Sequence, residues 1–564
     1  MAETGSRALA RLAEQAWEET MRESPEYATM LGDHRYDDRL SDDSDEARER
    51  SLARARERLA RLDALSEEEL DDEDRITRDV MRRGARLELD GAAHEFHLWN
   101  VDQMSGPQVG FVGLVRNFHP RRSAADVESL TKRYAAFRDR MEDYLGHLRA
   151  GARAGKTAPR LVVDRVLGQL DGLLDGESFF AEAVADDFAQ ALGEAAEPGA
   201  LAALREAAES SVRPAFEAMR ATLRELRADC REEPGLWALP GGDEAYAYLV
   251  ERHLTKAMDP QEVHEIGRRE LESIEAEMEA IAAGEGLDRK GYIAKLRADP
   301  ASYHRDREAL LEEFRAAVAR GEAALPQCFG ARPTESCEVR PIEPWREKDA
   351  PIGYYYRGAE DGSRPGRFYA NCYKVETRLR ANIEALTYHE AVPGHHLQLS
   401  IAQQLELPDV RRHGHFTAYI EGWALYAERL SDELGLYTSD AARFGMLGYQ
   451  ARRAARLIVD TGLHALRWPR ERAIAFLEEH TLLSEVEVAN EVDRYFVLPG
   501  QALAYKIGEL EIRGLRAELE RDLGPAFELT AFHDRLLASG ALPLTTLRDV
   551  MQRWGAARRA AEEG

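Results

Sequence analysis

Apolar residues recur three and four positions apart over long stretches of the chain, with charged residues between them. This spacing follows the period of an amphipathic α-helix, and the most frequent residues, Ala, Glu, Arg and Leu, all favour helices. The pattern predicts helices over residues 5–30, 45–88, 123–150, 196–230 and 260–283. The charged positions of these helices are expected to face solvent.

Two of the predicted helices carry a recognisable start signal. Ser66 is followed by an acidic stretch, which is typical of the first turn of a helix. Asp259 followed by Pro260 predicts an N-cap aspartate with proline at the first helical position. We therefore expect helices to begin at these two points.

The pattern changes between about residues 325 and 375, where proline, glycine and aromatic residues cluster. Short β-rich runs such as GRFYANCY are bounded there by turn residues. This predicts a small sheet at about 335–373, inserted in a mainly α protein. After it, the helical pattern returns and continues to the C-terminus.

The run Pro240-Gly241-Gly242 predicts a soft boundary in the chain. We expect an N-terminal helical lobe, residues 1–240, and a catalytic lobe, residues 241–564, unless the two form one continuous unit. The predicted fold class is a large, two-lobed helical protein with a small sheet beside its key helix.

Composition and charge exclude several classes of function. The 564 residues carry a formal net charge of −27, which disfavours binding to nucleic acid or to anionic membranes. No run of about 18 apolar residues occurs, and the N-terminal segment lacks the apolar region of a secretory signal. The four cysteines form no CxxC pair and are expected to be free thiols. A cytoplasmic enzyme is the expectation.

The chemistry of the chain concentrates in a segment with three histidines and a glutamate, His389, Glu390, His395 and His396. In the HExxH motif, two histidines four positions apart bind zinc, and the glutamate activates a water molecule. Here Pro393 occupies the position of the second histidine. The second ligand must therefore be His395 or His396.

Helix geometry shows that a metal site here requires a break. On a straight helix His396 returns to the face of His389, but roughly 10 Å away along the axis. Two ligands of one zinc ion, with bonds of about 2 Å, cannot be that far apart. Pro393-Gly394 predicts the break, and a local bulge would bring His395 to the usual place of the second ligand.

The third ligand is expected from the apolar stretch around Glu421. A carboxylate among Tyr419, Ile420 and Trp423 is costly to bury without a partner, and a metal ion or an arginine would be such a partner. Glu428 lies seven residues later and hence on the same helix face. It would orient a histidine ligand or serve as the ligand itself.

Four strings of this sequence, HEAVPGHHLQ, EGWALYAERL, DTGLH and RYFVLPGQALAYKIG, resemble the bacterial DUF885 family over about residues 240–515. The family in turn resembles the gluzincin metallopeptidases, which pair a His-Glu helix with a downstream glutamate ligand. The resemblance implies one Zn²⁺ per chain, or another divalent metal, held by His389, His395 and Glu421. It implies Glu390 as the general base and a cleft like that of thimet oligopeptidase.

Amide hydrolysis also needs a hydrogen-bond donor for the developing oxyanion. The downstream candidates are His464, Tyr495 and Tyr505. For each of them the ordinary alternative is a buried ring with a satisfied polar atom.

Several further residues are candidates for substrate binding. Arg494 would bind a carboxylate, and Gln501 opens a helix whose free N–H groups favour anions. Tyr369 and Asn371, in the predicted sheet, would line a cleft where an extended peptide adds to an edge strand. A separate cluster, Arg452-Arg453-Arg456, is predicted to be a helix face turned to the acidic surroundings.

The leading hypothesis is a zinc metallopeptidase that cleaves short peptides with zinc-activated water and Glu390 as general base. One alternative is a metal-dependent amide or ester hydrolase of a small metabolite. Another is a helical binding protein that retains a degenerate, non-catalytic site. The expected partner is a small peptide or amide substrate, without nucleic acid or membrane, and the sequence leaves the oligomeric state open.

Overall fold

The computed structural model describes residues 5–175, 179–342, 347, 350–358, 362 and 364–563. In this part of the chain the protein is mainly α with one small sheet, which confirms these two parts of the predicted fold class; the two lobes and the cleft stay predictions. Parts of the predicted sheet region, residues 343–346, 348–349, 359–361 and 363, lie outside the described residues.

The regular elements, in chain order, are α1 Gly5–Glu23, α2 Pro25–Leu31, α3 Asp45–Asp63, α4 Asp72–Ala92, α5 Pro107–Gly113, α6 Ala124–Arg153, α7 Arg160–Leu174, α8 Phe180–Leu192, α9 Pro198–Ala207, α10 Arg213–Leu226, α11 Gly242–Leu254, α12 Pro260–Ala283, α13 Arg289–Ala298, α14 Arg307–Ala324, β1 Glu338–Pro341, β2 Gly353–Tyr356, β3 Arg367–Ala370, α15 Ile383–Glu390, α16 His395–Gln404, α17 Asp409–Arg412, α18 Thr417–Glu433, α19 Asp440–His464, α20 Arg470–His480, α21 Glu485–Tyr495, α22 Ala504–Leu523, α23 Leu529–Leu537 and α24 Leu544–Glu563. Among the described residues, no helix is both long and apolar enough to cross a membrane.

The chain forms two compact units, Met1–Ala245 with Phe496–Leu498, and Tyr246–Tyr495 with Pro499–Gly564. Helices α1–α10 belong to the first unit, and the sheet and α12–α24 belong to the second. The assignment of catalysis to residues 241–564 stays a prediction.

One predicted helix start is confirmed and the other is wrong. Asp259 caps α12, because its side chain accepts hydrogen bonds from the second and third backbone N–H groups of the helix. Ser66 precedes only a single 3₁₀ turn, which ends in an extended residue, Leu70. The long helix α4 starts later, capped by Asp71, because the extended residue interrupts the helical hydrogen bonds.

The sheet has the strand order β1-β3-β2, so β2 is an edge strand. Strand β1 runs parallel to β3, with Val339 opposite Phe368. Strand β2 runs antiparallel to β3, with Tyr354 opposite Tyr369. Helices α15 and α16 pack against β2, which places the edge strand beside the His-Glu segment.

Helix α18 is buried between neighbours and packs closely along α22. Gly422 and Gly508 meet at this contact, and a Cβ atom on Gly508 would lie 1.8 Å from the carbonyl oxygen of Ala418. Only glycine therefore fits at position 508. Helix α15 also packs against α18, and α19 packs along α12.

Candidate metal site

The helix break predicted at Pro393-Gly394 is present. Helix α15 ends at Glu390 and α16 begins at His395. The chain reverses tightly between them, and a Cβ atom on Gly394 would lie 1.9 Å from the carbonyl oxygen of His389. Glycine is therefore required at this corner, because any side chain would collide with the end of α15.

The corner brings three potential ligands together. The Nε2 atom of His389 lies 3.5 Å from Oε2 of Glu421, and Nε2 of His395 lies 3.4 Å from the same oxygen. The ligand atoms of the three residues all lie within 4.8 Å of one another. Both histidines are buried, and Glu421 is half-buried on α18.

The spacing of these atoms fits a divalent metal ion. Zinc bonds of about 2.0–2.1 Å at tetrahedral angles place two ligand atoms roughly 3.3 Å apart, close to both measured separations. The Oε2 atom of Glu421 is buried and has no hydrogen-bond partner among the described residues. A buried acceptor without a partner is destabilising, and a cation between the imidazoles would satisfy it.

Glu428 lies behind His389 rather than in the cluster. The Nδ1 atom of His389 is 2.9 Å from Oε1 of Glu428. The other oxygen of Glu428 accepts a hydrogen bond from Gln450, 3.2 Å away, and Lys506 in turn donates to Gln450. This arrangement directs Nε2 of His389 to the cluster, as in metal sites where a carboxylate orients a histidine ligand.

His396 points away from the cluster. Its Nε2 atom lies 3.0 Å from the carbonyl oxygen of Glu335, and its Nδ1 atom lies 3.0 Å from the hydroxyl of Tyr355 on β2. The consecutive residues His395 and His396 thus face different surroundings. His396 connects α16 to the sheet, and the choice of metal ligands stays a prediction.

Trp423 holds the corner from α18. Its indole N–H donates to the carbonyl oxygens of Pro393 at 3.0 Å and Gly394 at 3.3 Å, and the side chain is fully buried. The residue lies two positions after Glu421 on the same helix.

The cluster has the electrostatics of a site for a cation. Burial would raise the pKa of Glu421, but the neighbouring imidazoles of His389 and His395 hold that pKa well below its usual range. Burial would lower the pKa of His389, yet Glu421 and Glu428 raise it to about 9. Two carboxylates therefore favour positive charge on the His389 ring.

Glu390 is the remaining polar residue of the His-Glu segment. Burial raises its pKa, and the nearby histidines offset part of this increase. No described residue forms a hydrogen bond or ion pair with the Glu390 carboxylate. By contrast, the carboxylates of Glu421 and Glu428 both contact His389. A carboxylate in this state is available for proton transfer.

Of the three predicted oxyanion donors, only Tyr505 lies beside the cluster. Its ring stacks on His389 with a centroid separation of 6.4 Å, and its hydroxyl has no hydrogen-bond partner among the described residues. His464 instead lies 2.9 Å from the carbonyl oxygen of Tyr495. The Tyr495 hydroxyl donates to Glu491 at 2.8 Å. The Nε2 atom of His464 and the hydroxyl of Tyr495 therefore already have hydrogen-bond partners within the protein.

The predicted substrate-binding residues also make contacts within the protein. Arg494 donates to Gln501 and contacts Glu491, and its guanidinium carbon lies 6.0 Å from the ring centre of Tyr505. Asn371 is 1 % exposed, and among the described residues its amide forms hydrogen bonds with backbone atoms only. We assign Asn371 to loop structure. Tyr369 stacks on Tyr354 across the two strands.

The helix face of Arg452, Arg453 and Arg456 meets an acidic residue at one point, because Arg452 and Arg456 both pair with Glu491. Arg453 and Arg456 are buried, at 5 % and 4 % exposed. The guanidinium carbon of Arg456 lies 4.5 Å from the ring centre of Tyr505, and that of Arg453 lies 6.0 Å away. The sequence carried a signal for this burial, because the residues from 454 to 459 around Arg456 are otherwise apolar.

The open edge of β2 offers unpaired backbone groups. Asn371 donates a backbone hydrogen bond to Ile352 at 3.0 Å. Hydrogen-bonded pairs alternate along an antiparallel ladder, so the backbone N–H and C=O groups of Gly353 and Tyr355 point to the other edge. Within the described residues no strand pairs with that edge.

A groove of about 770 Å³ begins beside this edge strand. Ile352, Leu386 and Tyr449 are among its lining residues. Leu386 lies one helical turn before His389 and Glu390 on α15 and therefore shares their face. The groove thus borders the residue before β2 and the first part of α15, the helix that ends with His389 and Glu390.

Comparison with protein families assigns the chain to a family whose function is described as unknown. Residues 25–551 match the family described as "Bacterial protein of unknown function (DUF885)". The structure resembles "the putative lipoprotein from Colwellia psychrerythraea", with a TM-score of 0.93, 27 % identity, and coverage of 99 % of this chain and 100 % of that one.

A second similar structure is "a putative lipoprotein of unknown function from Shewanella oneidensis". It has a TM-score of 0.78 and 18 % identity, covers 96 % of this chain and 99 % of its own, and supports the fold alone. No curated protein matches the chain.

Proposed function

The chain belongs to the DUF885 family, and we propose that it is a zinc-dependent hydrolase that cleaves short peptides. The observation that supports this most strongly is the convergence of His389, His395 and Glu421, with the carboxylate of Glu390 following directly on from His389. A purely structural metal site has no use for such a carboxylate.

His389, His395 and Glu421 would hold the ion, and Glu428 would keep the His389 ring in the orientation that presents Nε2. Bound zinc would supply a Lewis acid and lower the pKa of water toward about 7. A tetrahedral ion with these three ligands keeps one position open for chemistry.

The chain's own residues would handle the protons. Glu390 takes a proton from the attacking water and delivers it to the leaving nitrogen, as a general base that becomes a general acid. Its raised pKa, caused by burial, makes the protonated form easier to reach. The Tyr505 hydroxyl, beside His389, would donate a hydrogen bond to the oxygen that gains negative charge.

The edge strand favours a peptide over a small metabolite as substrate. The outward backbone groups of Gly353 and Tyr355 match the hydrogen-bonding pattern of an added extended strand. An ester or a small amide would leave most of these groups unused. We propose that the substrate is a short peptide in extended conformation, and the cytoplasmic location stays a prediction.

Elemental analysis and a peptide-library assay test the proposal together. Wild type, Glu390→Gln and Glu421→Ala are dialysed against metal-free buffer, loaded with zinc and compared. We expect about one zinc per chain in wild type and in Glu390→Gln, and little in Glu421→Ala. Cleavage should occur only in wild type, because the glutamine cannot accept a proton.

Glu433→Gln provides a matched control on α18, since Glu433 pairs with Arg516 in an exposed contact. It should retain zinc and activity. Full activity of Glu390→Gln would refute the general-base role. Absence of zinc from loaded wild type would refute the metal site, and cleavage of N-acyl amino acids or esters in place of peptides would support the small-metabolite alternative.

A further inference from the structure

Three arginines, Arg453, Arg456 and Arg494, lie around the ring of Tyr505, and Arg452 lies next to Arg453 in the chain, although the protein as a whole is strongly acidic. Arg452, Arg456 and Arg494 share Glu491 as an ion-pair partner, with N–O distances of 2.6, 2.7 and 3.5 Å, and Arg453 lies beside them without contacting it. A single carboxylate therefore serves three guanidinium groups. The cluster has more positive charge than its own carboxylates neutralise.

Within the described part of the chain Arg453 lacks a close carboxylate partner, and its Nη1 donates a long hydrogen bond of 3.5 Å to the carbonyl oxygen of Tyr449. Its closest ion-pair partner is Oε1 of Glu428, 3.9 Å away, and this oxygen already contacts His389 at 2.9 Å. The Nε atom of Arg453 and the Nη1 atom of Arg456 are buried without a hydrogen-bond partner among the described residues. A buried guanidinium whose N–H groups lack acceptors destabilises the fold unless an anion binds to it.

The cluster lies close to the candidate metal site. The guanidinium of Arg456 is 4.5 Å from the ring centre of Tyr505, and that ring is 6.4 Å from the ring of His389. An extended peptide covers about 3.3–3.6 Å per residue. An anionic group at the arginines would therefore belong to a residue within about three positions of the bond that faces His389.

Tyr449 connects the groove beside α15 to Arg453. Tyr449 lines the groove, and the guanidinium carbon of Arg453 lies 4.6 Å from its ring centre. Leu386, on the face of His389, lines the same groove. A peptide in the groove would therefore contact Tyr449, the ring that packs against Arg453.

We propose that Arg453 and Arg456 bind the C-terminal carboxylate of the peptide, so that the chain is an exopeptidase acting near the carboxyl ends of its substrates. This inference rests on the proposed function for the cleavage step alone. A planar guanidinium binds a carboxylate through two parallel hydrogen bonds. The net charge of −27 disfavours peptides with many acidic side chains, whereas every unmodified peptide has a C-terminal carboxylate.

Binding is measured on zinc-loaded Glu390→Gln, in which the peptides should stay intact. The probes are an N-acetylated mixed tripeptide library without acidic residues, the same library with C-terminal amides, and an amidated library with one glutamate. Equilibrium ultrafiltration with mass spectrometry quantifies the bound peptides. We expect the free acids to bind about 10- to 100-fold more tightly than the amides, as for loss of a charged hydrogen bond.

Arg453→Met in this background should reduce that preference to near one. Arg443→Met is the matched control, because Arg443 lies on the same helix in an exposed ion pair with Asp432. It should leave the preference unchanged. If Arg453→Met does not fold, Arg453→Lys replaces it, and the loss of the planar fork should still weaken the preference.

Equal binding of acids and amides, no binding of either library, or a preference that survives substitution of Arg453 would overturn the inference. Tight binding only of the amidated glutamate library would also overturn it and assign the arginines to an acidic side chain. If wild type cleaves nothing while the acid preference and its loss in Arg453→Met are both observed, the carboxylate site stands and the hydrolase proposal fails.

Discussion

Replacing Glu428 with glutamine should weaken zinc binding although Glu428 is not placed among the ligands. The carboxylate is fully buried, with Oε1 at 2.9 Å from Nδ1 of His389 and Oε2 at 3.2 Å from Nε2 of Gln450. Both neighbours present N–H groups to it, since Gln450 uses its oxygen to accept from Lys506 at 2.7 Å. A carboxylate can accept both bonds, but an amide has only one acceptor atom.

Either orientation of the new amide disturbs one of these two hydrogen bonds. If its NH₂ group faces Gln450, two donors meet, and Gln450 cannot turn without losing Lys506. If the NH₂ group faces His389, Nδ1 must become the acceptor, and the proton moves to Nε2, the atom that faces Glu421. An unsatisfied buried donor costs about 1–3 kcal/mol, which corresponds to a roughly 10- to 100-fold loss of zinc affinity.

The assay is competition for zinc between the protein and a chromophoric chelator, at fixed pH and ionic strength. Glu433→Gln, an exposed position on the same helix, is the control and should match wild type. The melting temperature of the metal-free forms reports separately on any loss of fold. An unchanged zinc dissociation constant in a folded Glu428→Gln protein would refute the argument that this carboxylate sets the state of His389.

Three further outcomes concern stability. Burial raises the pKa of Asp460, which accepts a hydrogen bond from Tyr246, to about 7. Because this folded-state pKa lies above the unfolded value of about 3.9, the free energy of unfolding falls as pH rises from about 4 to 7. Urea titrations across this range should therefore show wild type losing stability relative to Asp460→Asn, and parallel curves would contradict this. Gly508→Ala should lower the free energy of unfolding by about 1–3 kcal/mol, because its methyl group meets the carbonyl of Ala418, whereas an unchanged urea midpoint would contradict the close contact. Asp259→Ala should cost about 1 kcal/mol through loss of the α12 N-cap, and thermal unfolding with no decrease in stability would exclude that role.

Much of the fold was predictable because its signals are local. The N-cap of α12 depends on two adjacent residues, Asp259 and Pro260, and the corner after α15 depends on Pro393 and Gly394. The start of α4 was missed because Ser66 and Asp71 both offer capping side chains. The extended conformation of Leu70, which separates the two, is not marked in the sequence.

The directions of side chains at the site depend on contacts that are distant in sequence. Spacing alone could not choose between His395 and His396, because the choice depends on the direction in which α16 leaves the corner. The indole of Trp423, about thirty residues later, holds that corner. The burial of Arg453 also depends on a distant contact, because its guanidinium lies near Tyr505 of another helix.

Helix α18 serves as a common frame for the three candidate ligands. It carries Glu421 directly, orients His389 through Glu428, and holds the corner before His395 through Trp423. In an uninterrupted HExxH helix the two histidines keep a constant spacing, whereas here they belong to separate helices. The separation of the two histidines is therefore set by the corner, and we expect substitutions at Trp423 to change which divalent ion, by radius, the protein prefers.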